Sequence, residues 1–375
     1  MPINLSAKIH AHDVFFPAAA VYAALIVPLS VYALTSGKAW PVGLLGAGHG
    51  HEMIFGFVLA LIAGYLLGSL SIKAILVIFL LWFFARIAWL FFPYSTVAAA
   101  LSPLFALLLA WHTVPKFLAA KKWRNRSISP LLLILCLLPL VYAAMMRGLI
   151  PVHIWDMLTS GVILLALLMA FMGGRVIAPA AAGRFYQLGV NLETRVQPRL
   201  EGALILLIGV AAVLAFYPGT RDVAGFSLFC AGGVAAARLL RWRLWQCRPG
   251  MDLIGLGIGY AWLAAGLCLT GLALILDNQI STALHVITVG ALGTLSINIM
   301  TRVGPRTGQR QTLRAMVRFS ATALIALAVL MRIAAGISES AQVPFLWGSA
   351  LCWSTAFLIT AVWFPIRRQP GSTKP

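Results

Sequence analysis

AILVIFLLWFFARIAWLFF, residues 74–92, carries a single charge, Arg86, in nineteen residues. A helix on the surface of a soluble protein keeps one face polar, and this run has none. At about 1.5 Å per residue it is long enough to cross a hydrocarbon layer of roughly 30 Å. Eleven more runs of comparable length lie at 14–34, 52–69, 97–115, 130–146, 152–174, 201–218, 223–239, 253–276, 281–300, 317–337 and 344–365. The chain therefore reads as all-α: a polytopic membrane helix bundle of about twelve transmembrane helices. Residues 1–375 form a single integral membrane domain with no soluble domain, and the lipid bilayer is its principal partner.

Composition agrees, with 61% hydrophobic and 10% charged residues, far more apolar surface than one soluble core can hide. The formal charge of +19 could suggest nucleic acid, but the basic residues punctuate apolar runs instead of clustering on one face, so nucleic-acid binding is excluded. Their distribution also fixes the helix count. Lys8; Lys73; Lys116 to Arg126; Arg175 to Arg199; Arg238 to Arg248; Arg302 to Arg318; and Arg367 to Lys374 fall on one side of the predicted bundle, and only Lys38, Arg147 and Arg221 on the other. An error of one helix would scramble that alternation. The basic side is expected to be cytoplasmic, with both termini there. The longest loop expected on that side runs from Gly174 to Pro198. Five cysteines (Cys136, Cys230, Cys247, Cys268 and Cys352) show no Cys-x-x-Cys spacing and read as small hydrophobes.

Membrane depth sorts the histidines. His10, His12 and His112 fall on the basic side; His49, His51, His153 and His285 fall at the opposite ends of helices 2, 6 and 10, a spacing of four helices that suggests three four-helix units. Imidazoles at one depth on different helices can meet around one metal or haem. In Gly48-His49-Gly50-His51-Glu52-Met53 the glycines permit close backbone approach, and one histidine could bind a cofactor while the other, or Met53, binds a second metal. On helix 10, His285 and Thr288 share a face, and Gly290 and Gly293 admit either a planar group or a neighbouring helix. On helix 6, Asp156 stands one turn from His153, where a carboxylate could orient the ring. Arg86 and Arg332 each lie about 8 to 9 Å from the outer end of their helix. Arginine at that depth either reaches out to headgroups or meets an anion such as a haem propionate.

Three segments together carry a family resemblance: His49-Gly50-His51-Glu52-Met53-Ile54-Phe55-Gly56-Phe57; then Gly174-Arg175-Val176-Ile177; then His285-Val286-Ile287-Thr288-Val289-Gly290 running into Met300-Thr301-Arg302-Val303. They resemble the bacterial NnrS family, twelve-helix inner-membrane proteins described as containing haem and copper and linked to nitric oxide stress. That resemblance implies a multi-pass protein of the bacterial inner membrane, with haem and copper as cofactors and nitric oxide as the gas it responds to. It makes His49, His51 and His285 candidate ligands, and Glu52, Arg175 and Arg302 motif positions of unassigned role. Three departures stand out, the first being Asp13-Val14-Phe15-Phe16-Pro17 in place of the family's Arg-Pro-Phe-Phe entry to helix 1. Ser69-Leu70-Ser71-Ile72-Lys73 replaces the family's Val-Pro-Asn-Trp-Thr-Gly, and Arg306 replaces the histidine of its Leu-Gly-His-Thr-Gly run.

Two other functions compete. Secondary transport of a small solute is the default for twelve helices, but coupled carriers commonly keep carboxylates near the midplane, and here Glu52, Asp156, Asp252 and Asp277 lie towards helix ends. A haem-copper oxidase needs a dense histidine set with an adjacent pair, and no His-His dipeptide occurs. No nucleophile, base and orienting-group set can be assembled from the sequence.

Overall fold

The computed structural model describes residues 6–246, 250–302 and 309–368. Cys247, Arg248, the 304–308 run with Arg306, and Lys374 lie outside the described residues. Among the described residues, twelve helices are long and apolar enough to cross a membrane. They are α1 (His12–Thr35), α2 (Gly48–Leu66), α3 (Ile72–Phe91), α4 (Thr96–Leu118), α5 (Ile128–Met145), α6 (Ile154–Gln187), α7 (Glu193–Leu214), α8 (Pro218–Gln246), α9 (Asp252–Ile275), α10 (Ile280–Met300), α11 (Gln311–Ile337) and α12 (Gln342–Phe364). Single 3-10 turns at Glu193–Arg195, Pro218–Thr220 and Leu244–Gln246 form the start of α7 and the two ends of α8.

Two predicted boundaries shift. α6 runs through the expected loop after Gly174 as far as Gln187. Its extension buries Ile177, Ala178, Ala181 and Phe185, one apolar face at helical spacing, so the chain stays helical after its charges have left the hydrocarbon. α11 likewise starts before the predicted 317, because Arg314, Arg318, Ala321, Ile325 and Ala328 form one buried stripe. Charge marks where the lipid ends, not where the helix does.

One element was not legible at all. Lys8–His10 (β1) pairs antiparallel with Ser69–Ser71 (β2), Lys8 opposite Ser71 and His10 opposite Ser69. The ribbon is extended by Ala11 N–H donating to the Gly68 carbonyl at 2.8 Å and Ile72 N–H to that of Ala7 at 2.9 Å. Gly68, at φ +73°, supplies the left-handed residue that turns α2 into β2. Ser71 then caps α3 through the Ala74 N–H, and Lys116 Nζ reaches the Leu67 carbonyl at 2.8 Å. The segment that departs from the family pattern is thus the outer strand of a clasp on the N-terminal segment.

The residues group into two compact units rather than three: Met1–Leu168 with Ala211–Arg221, and Met169–Val210 with Asp222–Pro375. In the first, Phe15 packs between Phe79 and Phe105, at ring-centroid distances of 6.0 and 6.4 Å. In the second, helices approach through glycines. A Cβ on Gly225 would lie 2.6 Å from the Gly271 carbonyl oxygen, and one on Gly232 would lie 2.3 Å from Cys268 Sγ. Such contacts matter in lipid, where there is little hydrophobic gain in joining two helices and close van der Waals packing drives association. The described cysteines Cys136, Cys230, Cys268 and Cys352 are unbridged.

Adjacent glycines in α8 test this packing. Gly232→Ala should cost on the order of 1–3 kcal/mol through overpacking, lowering the thermal midpoint in detergent. Gly233→Ala meets nothing within 4 Å and should leave the midpoint unchanged or raise it.

Candidate functional site

The strongest polar constellation in the first unit is built on the start of α2. After His51, residues Glu52–Val58 form a π-helical segment, a rare geometry that recurs at functional sites. His51 and Glu52 are buried to 2% and 0% exposure, and Arg86 from α3 to 2%. Both carboxylate oxygens are occupied. His51 Nδ1 lies 2.8 Å from Oε1, Arg86 Nη1 donates to the same oxygen at 2.8 Å, and the Tyr22 hydroxyl from α1 donates to Oε2. Arg86 Nη2 also donates to Ser102 Oγ from α4 at 2.6 Å. Four helices therefore meet in one charge-neutralised cluster, as hydrocarbon demands of buried ions.

The geometry fixes the orientation of His51. A carboxylate only accepts, so Nδ1 carries a proton, and in the neutral ring Nε2 keeps the lone pair. The ring stacks on Trp89 with centroids 3.5 Å apart and an interplanar angle of 14°, and Phe55 and Tyr142 stand at 4.9 and 4.8 Å. Trp89 is itself held by its indole N–H on the Gly43 carbonyl at 2.8 Å, and Trp82 by the Gly56 carbonyl at 2.9 Å. Trp82, Arg86 and Trp89 are four and three residues apart and share the α3 face that backs α2. Gly56 has a packing reason: a Cβ there would lie 2.6 Å from the Tyr22 ring and 3.1 Å from Arg86.

The other motif histidines repeat the pattern. His49 Nδ1 lies 2.9 Å from Ser30 Oγ, whose own proton goes to the Ile26 carbonyl at 2.7 Å, so Nδ1 is the donor. In the second unit His285 Nδ1 donates to the Ser281 carbonyl at 2.6 Å, and it too precedes a π-helical segment, Val286–Gly293. Arg332 approaches that turn, its Nη2 3.3 Å from Ser281 Oγ. All three imidazoles are thus held by Nδ1.

Other expectations resolve differently. Asp156 does not orient His153; it accepts from Arg221 Nη2 at 2.6 Å. His153 instead starts α6 through its backbone carbonyl, and its side chain is exposed. Met53 packs against the apolar cluster of Ile26, Ala33 and Leu44. The faces of Gly290 and Gly293 are filled by Trp262 and Trp353, so those glycines serve helix packing. In Gly174-Arg175, the glycine admits Arg238, whose Nη2 would lie 2.2 Å from an added Cβ, while the Arg175 guanidinium stands 6.0 Å from the Phe171 ring. Arg302 pairs with Asp252 across 3.9 Å.

Among the described residues no three His, Cys, Asp or Glu side chains converge as a metal-binding group. Each motif histidine therefore offers one imidazole. A single imidazole would suit a cofactor that brings most of its own ligands, such as haem; it does not fit a copper ion that must draw its whole coordination sphere from these residues. Tyr22, Trp89, Ser102 and Tyr142 complete the site but carry no sequence signal, since each comes from a different part of the chain.

A family model described as NnrS protein matches residues 9–366, and the chain belongs to that family. No curated protein matches it.

The buried network makes its own prediction. Glu52→Ala and Arg86→Ala should each cost about 3–5 kcal/mol, because either leaves a charge buried without its partner. The double variant should fall short of their sum by at least about 1 kcal/mol, read by unfolding in mixed micelles.

Proposed function

We propose, from membership of the NnrS family, that this multi-pass membrane protein binds haem through its motif histidines and serves the bacterial response to nitric oxide. The observation that carries the reading is the buried His51-Glu52 pair: a histidine held by a carboxylate on Nδ1 is the arrangement that orients an axial or metal ligand and strengthens its donor nitrogen. Haem, when bound, would supply an iron able to take up a diatomic gas.

The chain's own residues have separable roles in this reading. His51 and His285 are the residues that would hold the haem iron. Glu52 keeps the His51 proton on Nδ1 and fixes the ring's rotation together with Trp89. Arg86 neutralises Glu52 and is engaged by Ser102 as well, which makes it a positioning residue. Arg332 has the longer bond, 3.3 Å to Ser281, and is the better partner for a propionate. His49 is held by Ser30 and joins no metal-binding group among the described residues, so no copper site is assigned to it. The inner membrane is the location that the family implies, with the histidine-bearing ends on the periplasmic side.

Optical spectra of purified, detergent-solubilised protein, oxidised and reduced, test this directly. A Soret band with resolved reduced α/β bands should be present in the parent protein and weakened in His51→Ala or His285→Ala. Glu52→Gln should reduce haem retention by roughly 10- to 100-fold and move the reduction potential, a shift that a packing role alone would not produce. Colourless protein from haem-replete cells would overturn the proposal, and substrate-dependent counterflow in proteoliposomes would then favour transport.

A further inference from the structure

In the second unit three arginines gather about one carboxylate, away from any motif histidine that the haem reading uses. Asp252, in the first turn of α9, has Arg184 from α6 on Oδ1 at 3.6 Å and Arg302, just beyond α10, on Oδ2 at 3.9 Å. Both separations exceed hydrogen-bond length, so the carboxylate attracts the two guanidinium groups without satisfying them. Arg302 Nη1 is buried with no hydrogen-bond partner among the described residues.

Arg318 on α11 completes the group. It is 6% exposed, its Nε donates to Thr301 Oγ1 at 2.9 Å, and it lies within electrostatic range of Asp252, Arg302 and Arg314. Thr301 accepts because its own proton goes to the Ile297 carbonyl at 2.8 Å. Arg314, also 6% exposed, lies 5.6 Å over the Trp363 ring. Gly250 leaves room for Arg184, whose Nη2 would lie 2.7 Å from a Cβ there. Three guanidinium groups against one carboxylate leave a local excess of positive charge, with Arg318 withdrawn from water. Such a group needs an anion; a cation would be repelled.

We propose that Arg184, Arg302 and Arg318 form a binding site for a phosphate-class oxyanion, either the headgroup of an anionic phospholipid or free phosphate. Planar guanidinium forks match the oxygens of such a group, and charge-assisted bonds of this kind are the strong ones. The loops concerned belong to the arginine-rich side of the sequence, where anionic headgroups concentrate basic segments. This assignment gives the Thr301-Arg302 motif a purpose independent of the haem reading: Thr301 positions Arg318, and Arg302 supplies a donor.

The test uses the full chain in phosphatidylcholine nanodiscs, with the thermal midpoint read by tryptophan fluorescence. One arm titrates inorganic phosphate against potassium chloride of matched ionic strength; the other replaces part of the lipid with phosphatidylglycerol. A saturable rise with phosphate identifies a soluble anion, and a rise with phosphatidylglycerol alone identifies a headgroup. Arg302→Gln should raise the half-saturating phosphate concentration or lipid fraction roughly tenfold. Asp252→Asn removes the competing carboxylate, so the anion should bind it more tightly and recover any stability it has lost. No response to either anion beyond chloride, an unaltered response in Arg302→Gln, or an Asp252→Asn protein that neither anion restores would each overturn the proposal and leave an ion-pair network alone.

Discussion

A carboxylate with no exposed surface inside a hydrocarbon-spanning helix has to be matched on both oxygens, and Glu52 sets that requirement for the first unit. Its partners arrive from four directions: His51 beside it, Tyr22 from α1, Arg86 from α3 and, through Arg86, Ser102 from α4. The other local features follow from it. Gly56 must lack a side chain so that Tyr22 and Arg86 can reach the carboxylate, and α3 must turn Trp82, Arg86 and Trp89 to one face so that two indoles and a guanidinium back α2. A network satisfied this fully is rigid, and rigidity is what an imidazole ligand needs.

The second unit meets the same constraint by other means. Its buried Arg238 donates to the Ala170 carbonyl at 2.9 Å, approaches Tyr260 at 3.3 Å and Glu201 at 3.8 Å, and lies 5.4 Å from the Trp242 ring. Room for it comes from Gly173 and Gly174, whose missing side chains are replaced by the Tyr260 ring and the Arg238 guanidinium. The family's Gly-Arg motif is explained at its glycine: that position is a socket for an arginine more than sixty residues further along the chain.

His51 and His285 share more than their place in motifs. Each is held at Nδ1, each stands at the mouth of a π-helical segment, each has a glycine five residues on, and each has an intramembrane arginine bonded to the group that holds it or to that residue's side chain. The difference is the holder: a buried carboxylate for His51, a backbone carbonyl for His285. A carboxylate makes the stronger donor of its histidine, so the two imidazoles are chemically unequal even though they are built alike.

Hydrophobic run length, the alternation of basic residues and the histidine motifs were all carried by single segments, and so the helical architecture, its twelve spans and the family were legible in the sequence, and His51, Glu52, Arg86 and His285 could be named from it as candidates. Solvent decides these features: lipid requires about twenty apolar residues per crossing wherever they occur. The structure alone decided which polar groups meet. That Asp156 takes Arg221 and not His153, that Thr301 holds Arg318, that β2 clasps β1, and that Tyr22 and Ser102 close the Glu52 network all depend on helices distant in sequence sharing a depth and facing one another. A sequence pattern records the depth and face of each residue along its own helix, but the partner across the interface is set by packing.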